Sequence, residues 1–265
     1  MTDSTRRSPS DPEAQGRAGQ PGNAPGQIEG PLTVLVVAAH PDDPEFGAGG
    51  TSALWAKQGR EVFQLVCTNG EKGSSDPEMT SDRLVELREE EQKCAAATLG
   101  VKKVYFLRLP DGEISPDLTL RRGIVKAIRM VRPEIVITHD PTNVYGDNNL
   151  THPDHRAVGH ATLDAIYPAA RDRLNFPEHE KAGLLPHKVR EVLLWGAKEP
   201  NFWVDIAETF DTKIAALRCH TTQIPDTEQM EKRMRERAEQ LARERPADDT
   251  RPLLAEAFRR ITLLR

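Results

Sequence analysis

Along most of the chain, short apolar runs alternate with stretches whose apolar residues recur at helical spacing. Val34-Leu35-Val36-Val37-Ala38-Ala39 contains no polar residue. Such a run fits a strand covered on both faces, as in the middle of a parallel sheet. It stops at His40-Pro41-Asp42-Asp43, where the proline removes a ladder donor. A loop is predicted over residues 40–50, then a helix over about 51–58 that Gly59 terminates. Further strands are predicted at 62–67, 104–106, 135–138, 192–195 and 202–205. Helices are predicted at 81–99, 118–131, from about 155 to 167, at 209–219 and, highly charged, at 228–245. The closing segment, 255–264, has mixed helix and strand character. Strands that alternate with helices imply right-handed crossovers and an α/β fold, a mostly parallel sheet flanked by helices. In such sheets ligands bind beyond the carboxyl ends of the strands.

Composition narrows the picture. Residues 1–29 are rich in Pro, Gly, Ser, Gln and charge and have no apolar face. They are predicted to be a disordered tail, which leaves 30–265 as one domain. The formal net charge of -5, with both signs mixed along the chain, argues against a nucleic-acid partner. No apolar run is long enough to span a bilayer and no signal-peptide core is evident, so no membrane insertion is expected. Cys67, Cys94 and Cys219 form no C-x-x-C pair and are odd in number. A disulfide framework is therefore not expected, and a cytoplasmic location is the simpler reading.

Two motifs carry chemistry. His40, Asp42 and Asp43 follow the first strand, where the alternation of side chains relaxes and both carboxylates can face one centre. The competing reading is a turn whose aspartates accept backbone N–H bonds. His152-Pro153-Asp154-His155 follows an Asn-containing loop and opens a helix, so its histidines lie near each other on one face. Helix capping with two exposed histidines is the plain alternative. Taken together, the clusters should converge on one rim of the sheet. Three imidazole and carboxylate ligands with an open fourth position is the arrangement of a catalytic zinc site.

The chain here resembles the LmbE-like (PIG-L) family of zinc deacetylases. The resemblance rests on Ala39-His40-Pro41-Asp42-Asp43-Pro44-Glu45 with Gly49-Gly50-Thr51, and on His152-Pro153-Asp154-His155. It extends to Thr68-Asn69-Gly70-Glu71, Arg88-Glu89-Glu90-Glu91, Leu109-Pro110-Asp111, Lys213 and His220-Thr221-Thr222-Gln223, and covers about residues 32–262. It implies a Rossmann-like sheet and removal of an acetyl group from an N-acetylglucosamine-type conjugate by water activated at Zn2+, or at Fe2+ or another divalent metal. His40, Asp43 and His155 match the metal ligands, and Asp42 the general base. His152 matches the histidine that stabilises the oxyanion or protonates the amine, and Asp154 the carboxylate orienting it. Arg88 and Asp111 match positions that contact the sugar. The implied partner is a small amino-sugar substrate, and a homo-oligomer is expected. Some sugar-thiol members carry Tyr where this chain has Leu150, with Tyr145 nearby but not equivalent, which leaves the particular substrate open.

Other features have plainer roles. Gly47-Ala48-Gly49-Gly50 lacks the dinucleotide spacing and fits close helix packing better. His139 is either a neighbour of the site or an ordinary loop histidine, and His220 is left without a role. The segment 170–188 reads as a lid or an oligomer contact. Competing functions are an amidase of sugar-thiol conjugates, a catalytically inactive metal-binding module, and a magnesium-binding receiver-like signalling domain. Against the receiver reading, no phosphoacceptor aspartate ends a later strand, and imidazoles disfavour magnesium.

Overall fold

The computed structural model describes residues 32–146, 148–246 and 253–263. The expected tail therefore lies outside the described residues. A seven-stranded sheet runs in the order β3-β2-β1-β4-β5-β7-β6. Its strands are β1 (Thr33–Ala38), β2 (Glu61–Thr68), β3 (Lys103–Leu109), β4 (Ile135–His139), β5 (Glu191–Trp195), β6 (Phe202–Asp205) and β7 (Ala255–Thr262). The helices are α1 (Asp43–Lys57), α2 (Ser81–Thr98), α3 (Leu118–Val131), α4 (Pro153–Asp164), α5 (Pro177–Lys181), α6 (Phe210–Leu217) and α7 (Thr227–Glu244).

β1 through β5 pair in parallel, while β7 inserts antiparallel between β5 and β6. The chain passes from β1 outward through β2 to β3, then returns to place β4 on the other side of β1. The carboxyl ends of β1 and β4 thus flank the point where strand order reverses, the crevice in which doubly wound sheets bind ligands. β1 is covered on both faces, as its apolar run predicts. Leu35, Val37 and Ala39 join a core with α3 and α4, while Val34 and Val36 join a second core with Trp55, Phe210 and Met230.

Several expectations are corrected. The loop predicted over 40–50 is mostly helix, because Pro44 at the start of α1 has a φ suited to the first turn. Non-helical backbone at Ala48 kinks that helix. The closing segment is a strand, whose Phe258 and Ala255 are fully buried between its neighbours. The segment 170–188 does not cover the carboxyl edge. His187 N–H bonds to Ala170 O (3.0 Å), the His187 ring to Pro133 O (2.7 Å) and Arg190 N–H to Glu134 O (2.9 Å), all near the amino end of β4. The buried Arg129 of α3 donates to the carbonyls of Ala169, Ala170, Asp172, Asn175 and Phe176, which fixes the segment behind that helix.

Cys94 and Cys219 are joined by a disulfide between α2 and the end of α6, with Cα atoms 5.9 Å apart. One bridge is not a framework, but it was not expected, and it removes the support that unpaired cysteines lent to a cytoplasmic location. The pairing spans 125 residues, a separation that depends on topology rather than on any local spacing.

Candidate active site

The rim between β1 and β4 is assembled from four strand ends. His40 to Asp43 follow β1, Gly70 to Lys72 follow β2, Asp111 follows β3, and His139 ends β4. α4 brings His152 and His155 from above. It can approach because residue 159 is glycine, where a Cβ would lie 2.7 Å from His139 O.

His40, Asp43 and His155 meet. His40 Nδ1 lies 3.3 Å from His155 Nε2 and 3.3 Å from Asp43 Oδ2, and Asp43 Oδ1 lies 3.2 Å from His155 Nε2. Neighbouring ligands about 2.0–2.1 Å from a tetrahedral ion would be roughly this far apart. The far nitrogen of His40 faces two carboxylates, Asp111 Oδ1 at 3.1 Å and Asp154 Oδ2 at 3.3 Å. Imidazoles that bind metals are commonly oriented from behind in this way. The pocket favours positive charge: burial opposes protonation of His40, yet Asp111, Asp154 and Asp43 push its pKa up to about 12. Burial also works against the Asp43 carboxylate, but the imidazoles of His155 and His139 hold its pKa well below the usual range. Net anionic, with nitrogen and oxygen donors converging, the cluster suits a small divalent ion.

Asp42 stands beside this cluster in strained backbone, at φ 105° and ψ -35°. A non-glycine residue held there marks a site where the surroundings over-determine the conformation. Its N–H donates to Gln92 Oε1 (2.9 Å), and its carboxylate accepts from Arg88 (3.2 Å). Burial and repulsion from Asp43 push the Asp42 pKa up to about 7, against the pull of the Arg88 guanidinium. His152 Nδ1 accepts the N–H of Asp154 (3.2 Å), so in the neutral ring the proton sits on Nε2. Burial and the neighbouring His40 lower the His152 pKa.

The eight residues singled out in the sequence gather here, but three have partners other than those expected. Asp154 is fully buried and turns its carboxylate to His40 and to the Gly112 N–H (2.7 Å); only its backbone meets His152. Asp111 is buried, with Oδ1 3.1 Å from His40 Nε2, and also accepts from Lys72 N–H (3.3 Å). Arg88 is 3% exposed and donates through its two terminal nitrogens to Pro41 O (2.5 Å), Gly70 O (2.9 Å) and Asp42. Gly70, at φ +64°, has no room for a Cβ beside that guanidinium.

Sequence reasoning left His139 open and missed Glu45 and Gln92. His139 Nε2 accepts the Ala39 N–H (3.1 Å), and its ring stacks on His155 with centroids 4.2 Å apart. Burial lowers its pKa to about 4. Glu45 is fully buried and accepts from Gln64 Nε2 (3.0 Å) and Gln92 Nε2 (3.0 Å), with His220 Nε2 at 3.2 Å. One signal was available: Gln92 lies four residues after Arg88, on the same helical face.

Fold and cluster together define an α/β protein with a group of histidines and aspartates able to hold a metal ion at its switch point. Residues 35–166 match the family described as PIG-L: GlcNAc-PI de-N-acetylase. The diacetylchitobiose deacetylase of Thermococcus kodakarensis is 36% identical over 193 residues, 73% of this chain and 70% of that protein. The chain belongs to this family, whose deacetylases are metal-dependent. Among solved structures, the N,N'-diacetylchitobiose deacetylase from Pyrococcus horikoshii, complexed with its inhibitor MPG, superposes with a TM-score of 0.79 at 29% identity. That match covers 87% of this chain and 84% of that one. The 4-carboxy-2-hydroxymuconate hydratase of Pseudomonas putida superposes with a TM-score of 0.71 at 26% identity, over 88% and 97% of the two chains. No helix among the described residues is long and apolar enough to cross a membrane.

Proposed function

We propose that this protein is a metal-dependent deacetylase that hydrolyses the acetamido group of an N-acetylglucosamine-type sugar or conjugate, releasing acetate and the free amine. The observation that carries the reading is the convergence of His40, Asp43 and His155 within 3.3 Å of one another, with Asp42 alongside. A divalent ion held by those three residues, zinc in this reading, would acidify water and polarise the amide carbonyl. Asp42, with its raised pKa, takes the proton from the attacking water. His152 donates a hydrogen bond from Nε2 to the developing oxyanion, and the proton that Asp42 has taken passes to the departing nitrogen. Asp111 and Asp154 hold His40 in register, and Arg88 and Gln92 hold Asp42.

The amidase of sugar-thiol conjugates would use the same groups on a larger acyl substituent. A homo-oligomeric state and a cytoplasmic location are finer parts of the reading. Thiol titration of protein taken directly from cells bears on the second, since Cys94–Cys219 would be reduced in the cytoplasm. The function itself is tested by free-amine release from N-acetylglucosamine conjugates. Turnover should vanish with a strong chelator and return with zinc. Normal turnover by exhaustively metal-free protein would contradict the mechanism.

A further inference from the structure

Behind Asp42, four fully buried polar side chains from four segments meet: Glu45 on α1, Gln64 on β2, Gln92 on α2, and His220 after α6. Glu45 is their common partner. Its Oε1 accepts from Gln64 Nε2 (3.0 Å) and Gln92 Nε2 (3.0 Å), while Oε2 meets Gln92 Nε2 (3.1 Å) and His220 Nε2 (3.2 Å). Gln92 Nε2 also donates to Gln64 Oε1 (3.0 Å). Apolar residues would fill this space at less cost, because a buried carboxylate must be met by donors.

The polarity of the group decides what reaches Asp42. A carboxylate only accepts, so both glutamines turn their NH2 ends towards Glu45. Gln64 Oε1 is then taken by Gln92, which leaves Gln92 Oε1 to accept the Asp42 N–H (2.9 Å). That bond falls on a residue at φ 105°, a backbone that a non-glycine residue keeps only where its surroundings hold it. His220 is fixed in turn. Beside it, Thr221 Oγ1 (2.8 Å), Thr222 N–H (2.8 Å) and Thr222 Oγ1 (2.7 Å) donate to Glu91 on α2. Cys219, on its other side, is bridged to Cys94, two residues after Gln92.

We propose that Glu45 and His220 are positioning residues for the base: Glu45 sets the sense of the Gln92 amide, and His220 holds Glu45 in place. The inference rests on Asp42 being the general base, as in the reading above. With Glu45→Gln, the partner of Gln92 can donate as well as accept. The Gln92 amide can then turn over and set its NH2 end against the Asp42 N–H, which loses its acceptor.

The test is a double-mutant cycle on zinc-loaded protein, with free-amine release from N-acetylglucosamine conjugates as readout. Glu45→Gln should lower kcat about 10- to 100-fold with KM and zinc content little changed, the cost of slightly misplacing a reacting group. In an Asp42→Asn background the same substitution should change kcat less than about twofold, because the group it positions is gone. A residue that only supports the fold would cost the same factor in both backgrounds. If Glu45→Gln does not fold, His220→Leu takes its place in the cycle, with about a tenfold loss expected in the wild-type background and again none in Asp42→Asn. Equal losses in both backgrounds, or a raised KM with unaltered kcat, would overturn the positioning role and leave Asp42 as base. Wild-type kcat in Asp42→Asn alone would overturn both.

Discussion

Arg88 spends its guanidinium inside the protein, on Pro41 O, Gly70 O and the carboxylate of Asp42. Its work is to hold a strained residue, so its removal should act on the chemical step. Arg88→Ala should lower kcat about 10²-fold, the cost of slightly misplacing a reacting group, with KM and metal content little changed. Steady-state kinetics beside metal analysis checks this; a raised KM with unaltered kcat would return Arg88 to a substrate contact. At this scale the sequence was legible in part. His40, Asp43 and His155 stood out because their residue types are those of a metal centre at suggestive spacing. The partners of Arg88, Asp111 and Asp154 were not legible, since each reaches a residue more than 40 positions away.

Among the elements, the parallel strands were readable because β1, β2, β4 and β5 are apolar without alternation. α1 was placed too late because its glycines and carboxylates read as a loop, although Pro44 marks its first turn. β7 was ambiguous because a strand covered along part of its length mimics a mixed pattern. The segment 170–188 offered no periodicity, and its anchor, Arg129, looks in sequence like any helix-surface arginine. His187 in that segment gives a pH prediction. Burial lowers its pKa, although its bond to Pro133 O opposes the shift. The folded protein thus keeps it neutral at a pH where the unfolded chain takes up a proton. Its contribution is full above about pH 6.5 and is lost as pH falls towards the lower folded value. Between pH 7.5 and 5.5 the wild type should therefore lose more Tm than His187→Gln. Thermal melts of both proteins at the two pH values test this, and equal losses would contradict it.

At the scale of the whole molecule, one topological fact sets up the chemistry. Strand order reverses between β1 and β4, so two motifs separated by more than 100 residues end on one rim. Two cores, one on each face of β1, pack beneath that rim. In the proposed mechanism the adjacent aspartates emerging there do different jobs, Asp43 as ligand and Asp42 as base. The most direct measurement is zinc stoichiometry and turnover of Asp43→Ala and Asp42→Asn, side by side. Asp43→Ala should lose most of its metal. Asp42→Asn should keep it while kcat falls about 10²–10⁴-fold, the usual contribution of a positioned base. Metal lost from Asp42→Asn but retained by Asp43→Ala would contradict this division of roles.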